Sequence, residues 1–227
     1  MSDNSFFREV DEAVRKEKYK ALWDKYGIFI LVLAGAVIVG VAAFKGWSYW
    51  TERRAQEAGT EYTQALTLET GADPDKAREA FETLAKDGPR GYQVLSRFQM
   101  AASEAKAGET DKAVAAYDGL ATDGRVDQIL QGLATVQAAM LRVDTADYAE
   151  MERRLKGLVE GNSPWRFSAR ELLGLSAYRH QDMRAAEEQF SALLADQKTT
   201  PNLRERANMM LALIVSATPS QSSSTTN

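Results

Sequence analysis

The sequence contains no cysteine and a single histidine, His180. Without thiols there are no disulfides, no thiolate nucleophile and no cysteine-held metal. One histidine with no Glu-x-x-His pairing gives a metal ion little to bind. No G-x-S-x-G or P-loop pattern occurs, and the acidic residues are spaced as on solvated helix faces, not as a paired acid and base. Catalysis, a cofactor, a metal and a small-molecule substrate are therefore not expected. Positive charge is not in excess either: 28 basic residues face 32 acidic ones, for a net charge of −4. That balance argues against a nucleic-acid partner, which needs a basic face. Alternating apolar runs bounded by turn residues, the mark of strands, are missing too.

Long uncharged runs are also missing, with one exception. KYGIFILVLAGAVIVGVAAFKGWSYW spans Lys25 to Trp50, and from Tyr26 to Phe44 its only ionisable group is the Tyr26 phenol. Such a run is a cleavable export signal, a buried core helix or a membrane anchor. Nineteen residues make a helix of roughly 28 Å, close to the thickness of a bilayer's hydrocarbon core. A signal peptide has a short basic start and a shorter apolar stretch, whereas about 25 residues of mixed charge precede this one. Core helices of soluble domains usually have shorter runs. The expectation is a transmembrane helix over 26–44, with lipid bilayer as its surroundings. Lys25 and Tyr26 would mark one membrane boundary, and Lys45, Trp47, Tyr49 and Trp50 the other, in an exit segment over 45–54. Arg8, Arg15, Lys16, Lys18, Lys20 and Lys25 precede the run, while only Lys45, Arg53 and Arg54 lie in the comparable window after it. Orientation follows the basic residues, so segment 1–25 should be cytoplasmic and the C-terminal part translocated. Phe6, Val10, Ala13, Val14 and Ala21 can share part of a helical face within 5–27. That segment is either an amphipathic helix touching lipid or a partner, or a plain lead-in to the anchor.

Beyond the anchor, alanine, leucine, glutamate, glutamine, lysine and arginine dominate residues 51–216, a helical composition. Helices should break at 69–75, 86–91, 122–125, 160–165 and 198–202. Asp73-Pro74, Ser163-Pro164 and Thr200-Pro201 each place a capping side chain before a proline at the first helical position. The polar, serine-rich segment 217–227 should be disordered.

Internal repeats organise this region. DKAREAFETLAKDG (75–88) and DKAVAAYDGLATDG (111–124) match at eight positions with an offset of 36, and MRAAEEQFSALLAD (183–196) is a weaker copy. Each carries a small residue, an aromatic four later and a leucine three beyond, all on one helical stripe. These are Ala77, Phe81 and Leu84; Ala113, Tyr117 and Leu120; Ala186, Phe190 and Leu193. The skipped unit should centre on Ala149, with Arg153 at the aromatic position. Twelve residues earlier stand Ala65, Ala101, Gln137 and Gly174 on the preceding helices. The fold expected is all-α: one N-terminal transmembrane helix, then a solenoid of about four degenerate helix pairs plus a capping helix over 55–216.

LGLSAY (173–178), with Ala186 and Phe190, resembles the tetratricopeptide consensus. In such solenoids the first helices of the pairs line a concave groove, which implies a partner-binding face here. Lys106, Arg142 and Arg179 recur one per unit near the ends of those helices. They either complement the negative end of each helix or form a ladder for a ligand. Tyr62, Leu95, Phe98 and Tyr178 either face the same groove or belong to the core.

A charged N-terminus, KALWDKYG, one span, the aromatic GWSYWTERRAQEAG and degenerate tetratricopeptide units together resemble the bacterial ancillary SecYEG translocon subunit family. The resemblance implies a single-pass inner-membrane protein with a periplasmic repeat domain. It also implies association with the Sec translocon and a membrane-anchored periplasmic chaperone, and chaperone-like help to exported client proteins. The alternative is a structural scaffold in envelope assembly or division with fixed folded partners. The degenerate third unit departs from the pattern and puts a continuous groove in doubt.

Overall fold

A computed structural model describes residues 3–71 and 73–217, with side chains at Lys20 and from Trp23 onward. The tail expected over 217–227 lies outside these residues beyond Ala217, as do the side chains of Phe6, Val10, Ala13, Val14 and Ala21. Among the described residues the chain is all-helical. It divides into two compact units, Met1–Glu57 and Ala58–Asn227.

The first unit is the greater part of α1 (Asp3–Thr70). Its apolar stretch is long and apolar enough to cross a membrane. Ile28, Phe29, Leu33, Ile38, Val39 and Phe44 are all exposed. Among the described residues no core covers these side chains, and a helix that is apolar all round suits a membrane span.

The second unit begins with the last turns of α1 and continues through α2 (Pro74–Asp87), α3 (Arg90–Lys106), α4 (Thr110–Thr122), α5 (Gln128–Arg142), α6 (Tyr148–Glu160), α7 (Arg166–Arg179), α8 (Met183–Ala195) and α9 (Pro201–Ala217). From α2 onward each helix packs on its neighbour in sequence, and α5 also touches α7. The end of α1 with α2, α3 with α4, α5 with α6 and α7 with α8 form four pairs, and α9 covers the last. The second helices begin at 74, 110, 148 and 183, steps of 36, 38 and 35 residues.

Sequence patterns account for these boundaries. The Asp73 carboxylate accepts from the Lys76 amide, Asp127 from Ile129, Asp147 from Glu150 and Asp182 from Ala185. Each satisfies a donor that a helix start leaves orphaned. Pro74 and Pro201 open α2 and α9, as expected. Ser163-Pro164 differs. The Ser163 hydroxyl accepts from the Trp165 amide at 3.2 Å, a local turn that delays α7 to Arg166.

The three strong units carry the expected inward stripe: Ala77, Phe81 and Leu84, Ala113, Tyr117 and Leu120, and Ala186, Phe190 and Leu193 are all buried. The small positions Ala65, Ala101 and Gly174 on the first helices are buried opposite them. The third unit corrects the sequence reading. Ala149 and Arg153 are exposed, and the inward stripe is Met151, Leu155 and the half-buried Leu158. Its small partner is the buried Ala139 rather than the half-buried Gln137. The unit is two residues late because the step into it is 38 residues. It is intact as a helix pair, with a methionine and a leucine where its neighbours have a small residue and an aromatic.

Four apolar clusters follow the pairs. One joins α1 to α2 through Ala65, Ala77 and Phe81. The others centre on Tyr117 and Leu120, on Met151 and Leu155, and on Phe190 and Leu193. Glycine sets the approach of successive first helices in two places. A Cβ on Gly59 would come within 2.6 Å of the Tyr92 hydroxyl, and one on Gly132 within 2.5 Å of the Trp165 ring. The Trp165 indole also donates to the Ile129 carbonyl at 2.8 Å.

Candidate partner-binding surface

The residues expected to line a groove all stand on first helices: Tyr62 on α1, Leu95, Phe98 and Lys106 on α3, Arg142 on α5, Tyr178 and Arg179 on α7. Their exposure separates them. Leu95 is 42 % exposed. Tyr62 is half-buried, edge-on to Phe81 with ring centres 5.5 Å apart and 6.0 Å from Tyr92. Burial and the nearby Glu69 carboxylate push its phenol pKa up. Phe98 packs on Tyr117 at 5.9 Å, and Tyr178 packs on the Phe190 cluster. Three of the four apolar residues thus present a rim to solvent, while their bodies belong to the core.

The basic row is engaged between units. The Lys106 ammonium, 69 % exposed, lies 3.7 Å from a Glu69 oxygen on the preceding first helix. Arg142 pairs with Glu150 at 3.2 Å and reaches back to Asp111 of the preceding unit at 3.7 Å. Arg179 donates to the Ala146 carbonyl in the turn before α6. His180 follows it as the C-cap of α7, its Nδ1 2.8 Å from the Ser176 carbonyl and its Nε2 3.1 Å from Arg179. Each member of the row therefore touches the unit before it. The arrangement staples neighbours; Lys106 and Arg179 stay exposed, while Arg142 is mostly covered.

Further arginines perform the same stapling. Arg154, whose side chain is 17 % exposed, bridges Asp118 and Glu150. Arg206 grips Glu171 at 2.6 Å, and Arg166 grips Asp196 at 2.7 Å. Asp123 sits between Arg125 and Arg97, at 3.0 and 2.8 Å. Hydrogen bonds from Arg125 first and Arg97 second hold its carboxyl well below the ordinary range. Glu150 is lowered chiefly by Arg142, and Asp196 by the Lys198 amide and then Arg166. Carboxyls whose folded pKa is depressed add stability above their unfolded pKa of about 4 and lose it as pH falls below that value. The melting temperature of the second unit should accordingly drop as pH falls from about 5 to about 3. Asp123→Asn should flatten that drop, since it removes one of the linked protons; an unchanged pH profile would show that this carboxylate is not linked to folding.

At the expected membrane boundaries, the Lys25 ammonium lies 5.5 Å from the Tyr26 ring centre. Trp47 and Trp50 are tilted together with centres 5.7 Å apart. Arg53 stacks over Tyr49 at 4.8 Å and Arg54 over Trp50 at 5.2 Å. In the sequence both arginines count only as charge; the i, i+4 spacing from Tyr49 and Trp50 is the signal for this stacking. Lys45 has its place on the same helix, one residue past Phe44.

Among the described residues no three His, Cys, Asp or Glu side chains are grouped to hold a metal ion.

A family profile described as tetratricopeptide repeat-like domain matches residues 20–174. The ancillary SecYEG translocon subunit of Escherichia coli (strain K12) is 26 % identical over 183 residues, covering 79 % of this chain and 86 % of that protein. That relative bears the name of the family the sequence resembles. No solved structure gives a significant match.

Proposed function

Since this chain belongs to the tetratricopeptide repeat-like domain family, we propose that it is a membrane-anchored adaptor of the Sec translocon, acting by protein–protein binding and not by catalysis. The observation that carries this reading is the pairing of an exposed apolar helix with a helical-repeat unit whose relative is named as a translocon subunit. In this proposal the helix over 26–44 lies in a bacterial inner membrane, residues 1–25 are cytoplasmic and the repeat domain over 55–216 is periplasmic. Lys25, Tyr26, Lys45, Trp47, Tyr49 and Trp50 sit at the two headgroup levels, where cationic and aromatic side chains are favoured. A membrane-anchored periplasmic chaperone and exported proteins are its further partners, and its activity is chaperone-like.

Exported segments are held on the first-helix face. Leu95 supplies the main apolar contact, the rims of Tyr62, Phe98 and Tyr178 add to it, and Lys106 supplies charge. Arg142 and Arg179 flank this face and hold the units in register. Binding is weak and tolerant of sequence, because every ordered client residue costs conformational entropy. The test is titration of the full chain, in uncharged nanodiscs, with a denatured secretory protein at two ionic strengths. Leu95→Ser should weaken binding about five-fold, half of a leucine's burial free energy. Lys106→Gln should remove most of the salt dependence and leave the apolar part, since screening acts on exposed charge. Absence of client binding, together with tight association with one folded envelope protein, would instead favour a structural scaffold.

A further inference from the structure

A cleft of about 500 Å³ opens between the C-terminal end of α2, the first turns of α3 and the α4–α5 turn. Its charged lining is lopsided: Lys86, Arg90, Arg97 and Arg125 face the single carboxylate of Asp123. That one carboxylate is already shared by Arg97 and Arg125. Arg90 leans across the opening and donates through Nε to the Arg125 carbonyl at 3.1 Å, and Gln93 donates to the Lys86 carbonyl at 3.0 Å. These bonds fix the walls. The cleft also meets the start of α3, where Pro89 gives no side-chain cap. The positive end of that helix dipole adds to the field of the four cations and the negative end of α2 offsets part of it.

Arg90, Arg97 and Arg125 hold the α4–α5 turn to α3, yet the lining still carries four cations for one carboxylate. At the last pair the corresponding turn is closed: Arg166 takes Asp196, while Arg204 donates to the carbonyls of Leu194, Asp196 and Thr199. There two arginines are consumed by one carboxylate and three carbonyls. In the α3–α5 cleft Arg90 likewise donates to a carbonyl, that of Arg125, but four cations line the recess against one carboxylate. They stand in a chain whose net charge is −4, so the cleft runs against the sign of the molecule that carries it.

From this geometry we infer that the cleft is a docking site for an acidic polypeptide segment, with glutamate or aspartate side chains of the segment held by Lys86 and Arg90 and backed by Arg97 and Arg125. A polypeptide fits better than a bilayer surface, because the cations line a recess instead of a protruding patch. Ala85, Val94 and Val126 line the same recess with aliphatic surface suited to the methylenes of glutamate. The site is separate from the Leu95 contact proposed above and rests on that reading only in taking a polypeptide as the occupant.

The experiment uses the full chain in phosphatidylcholine nanodiscs and fluorescence anisotropy of a labelled octaglutamate peptide, with octalysine as the comparison. Saturable, salt-sensitive binding of octaglutamate alone is expected. Lys86→Gln/Arg90→Gln spares the Asp123 cluster and should weaken it at least about ten-fold, the scale of one lost hydrogen bond to a charged group. Arg78→Gln/Lys112→Gln, which removes the same charge elsewhere, should change it less than about two-fold, as for exposed pairs. Equal losses in both variants, or none in the first, would overturn the site. Displacement by millimolar glycerol phosphate would overturn the polypeptide assignment in favour of a phosphate-bearing ligand. Octaglutamate binding that survives Leu95→Ser while client binding fails separates this site from the proposed client role.

Discussion

Phe190→Ala should destabilise the second unit by about 3–5 kcal/mol, the usual cost of removing a buried aromatic ring. Phe190 is 1 % exposed. Its ring lies against Gly174 so closely that a Cβ there would come within 2.8 Å of it. The glycine leaves no side chain to collapse into the hole, so the lost contacts are not recovered by relaxation. Phe81, also 1 % exposed, should behave alike. Arg153→Ala at the equivalent sequence position of the third unit should stay within about 0.5 kcal/mol, because the side chain is at the surface. Chemical denaturation followed by circular dichroism measures all three. A Phe190→Ala loss no larger than that of Arg153→Ala would mean that the α7–α8 packing described above is wrong. Gly174→Ala offers an internal check: its clash is with the Phe190 ring, so the substitution should be better tolerated after Phe190→Ala than before it.

The second large effect is all-or-none and concerns orientation. Six basic residues before the apolar run against three after it predict that residue 10 is cytoplasmic and residue 150 is exported. Alkaline phosphatase fused after residue 60 should be active, and a fluorescent protein that folds only in the cytoplasm should be dark at the same site. The opposite pair of results would place the repeats in the cytoplasm and remove the proposed periplasmic role.

The strong units were legible because three constraints coincide in them. Ala113, Tyr117 and Leu120 obey helical spacing, repeat the types found at Ala77, Phe81 and Leu84, and keep the 36-residue step. In the third unit these constraints part. Continuing the step leads to Ala149 and Arg153, which are exposed, while Met151, Leu155 and Leu158 carry the buried face two residues later. Apolar periodicity alone, without residue type, would have found them, since the stripe is a physical requirement and the aromatic is not. The candidate surface was less legible. Tyr62, Phe98 and Tyr178 are amphipathic side chains that serve a core and a surface at once, a division set by neighbours far away in sequence. The staples were hidden for a similar reason. Arg154 meets Asp118 from 36 residues away, Arg206 meets Glu171 from 35, and Trp165 meets Ile129 from 36. Each contact spans about one repeat, so a search for opposite charges one period apart would have suggested several of them. The basic cleft has the same origin: Lys86, Arg90, Arg97 and Arg125 are unremarkable in sequence and converge only when α2, α3 and the α4–α5 turn meet.

Each of the four apolar clusters draws on one helix pair and on helices of the pairs beside it, and this has a thermodynamic consequence. An array in which each pair touches only its neighbours has a stability close to a sum of local pieces and nearest-neighbour couplings. Within such an array local openings differ from pair to pair, and amide exchange resolves them where a global melt reports their sum. Damage at Phe190 would first raise amide exchange in α7, α8 and α9, while the cluster around Phe81 keeps its protection. In the proposed adaptor role the pair around Phe190 can loosen while the pairs nearest α1 stay folded.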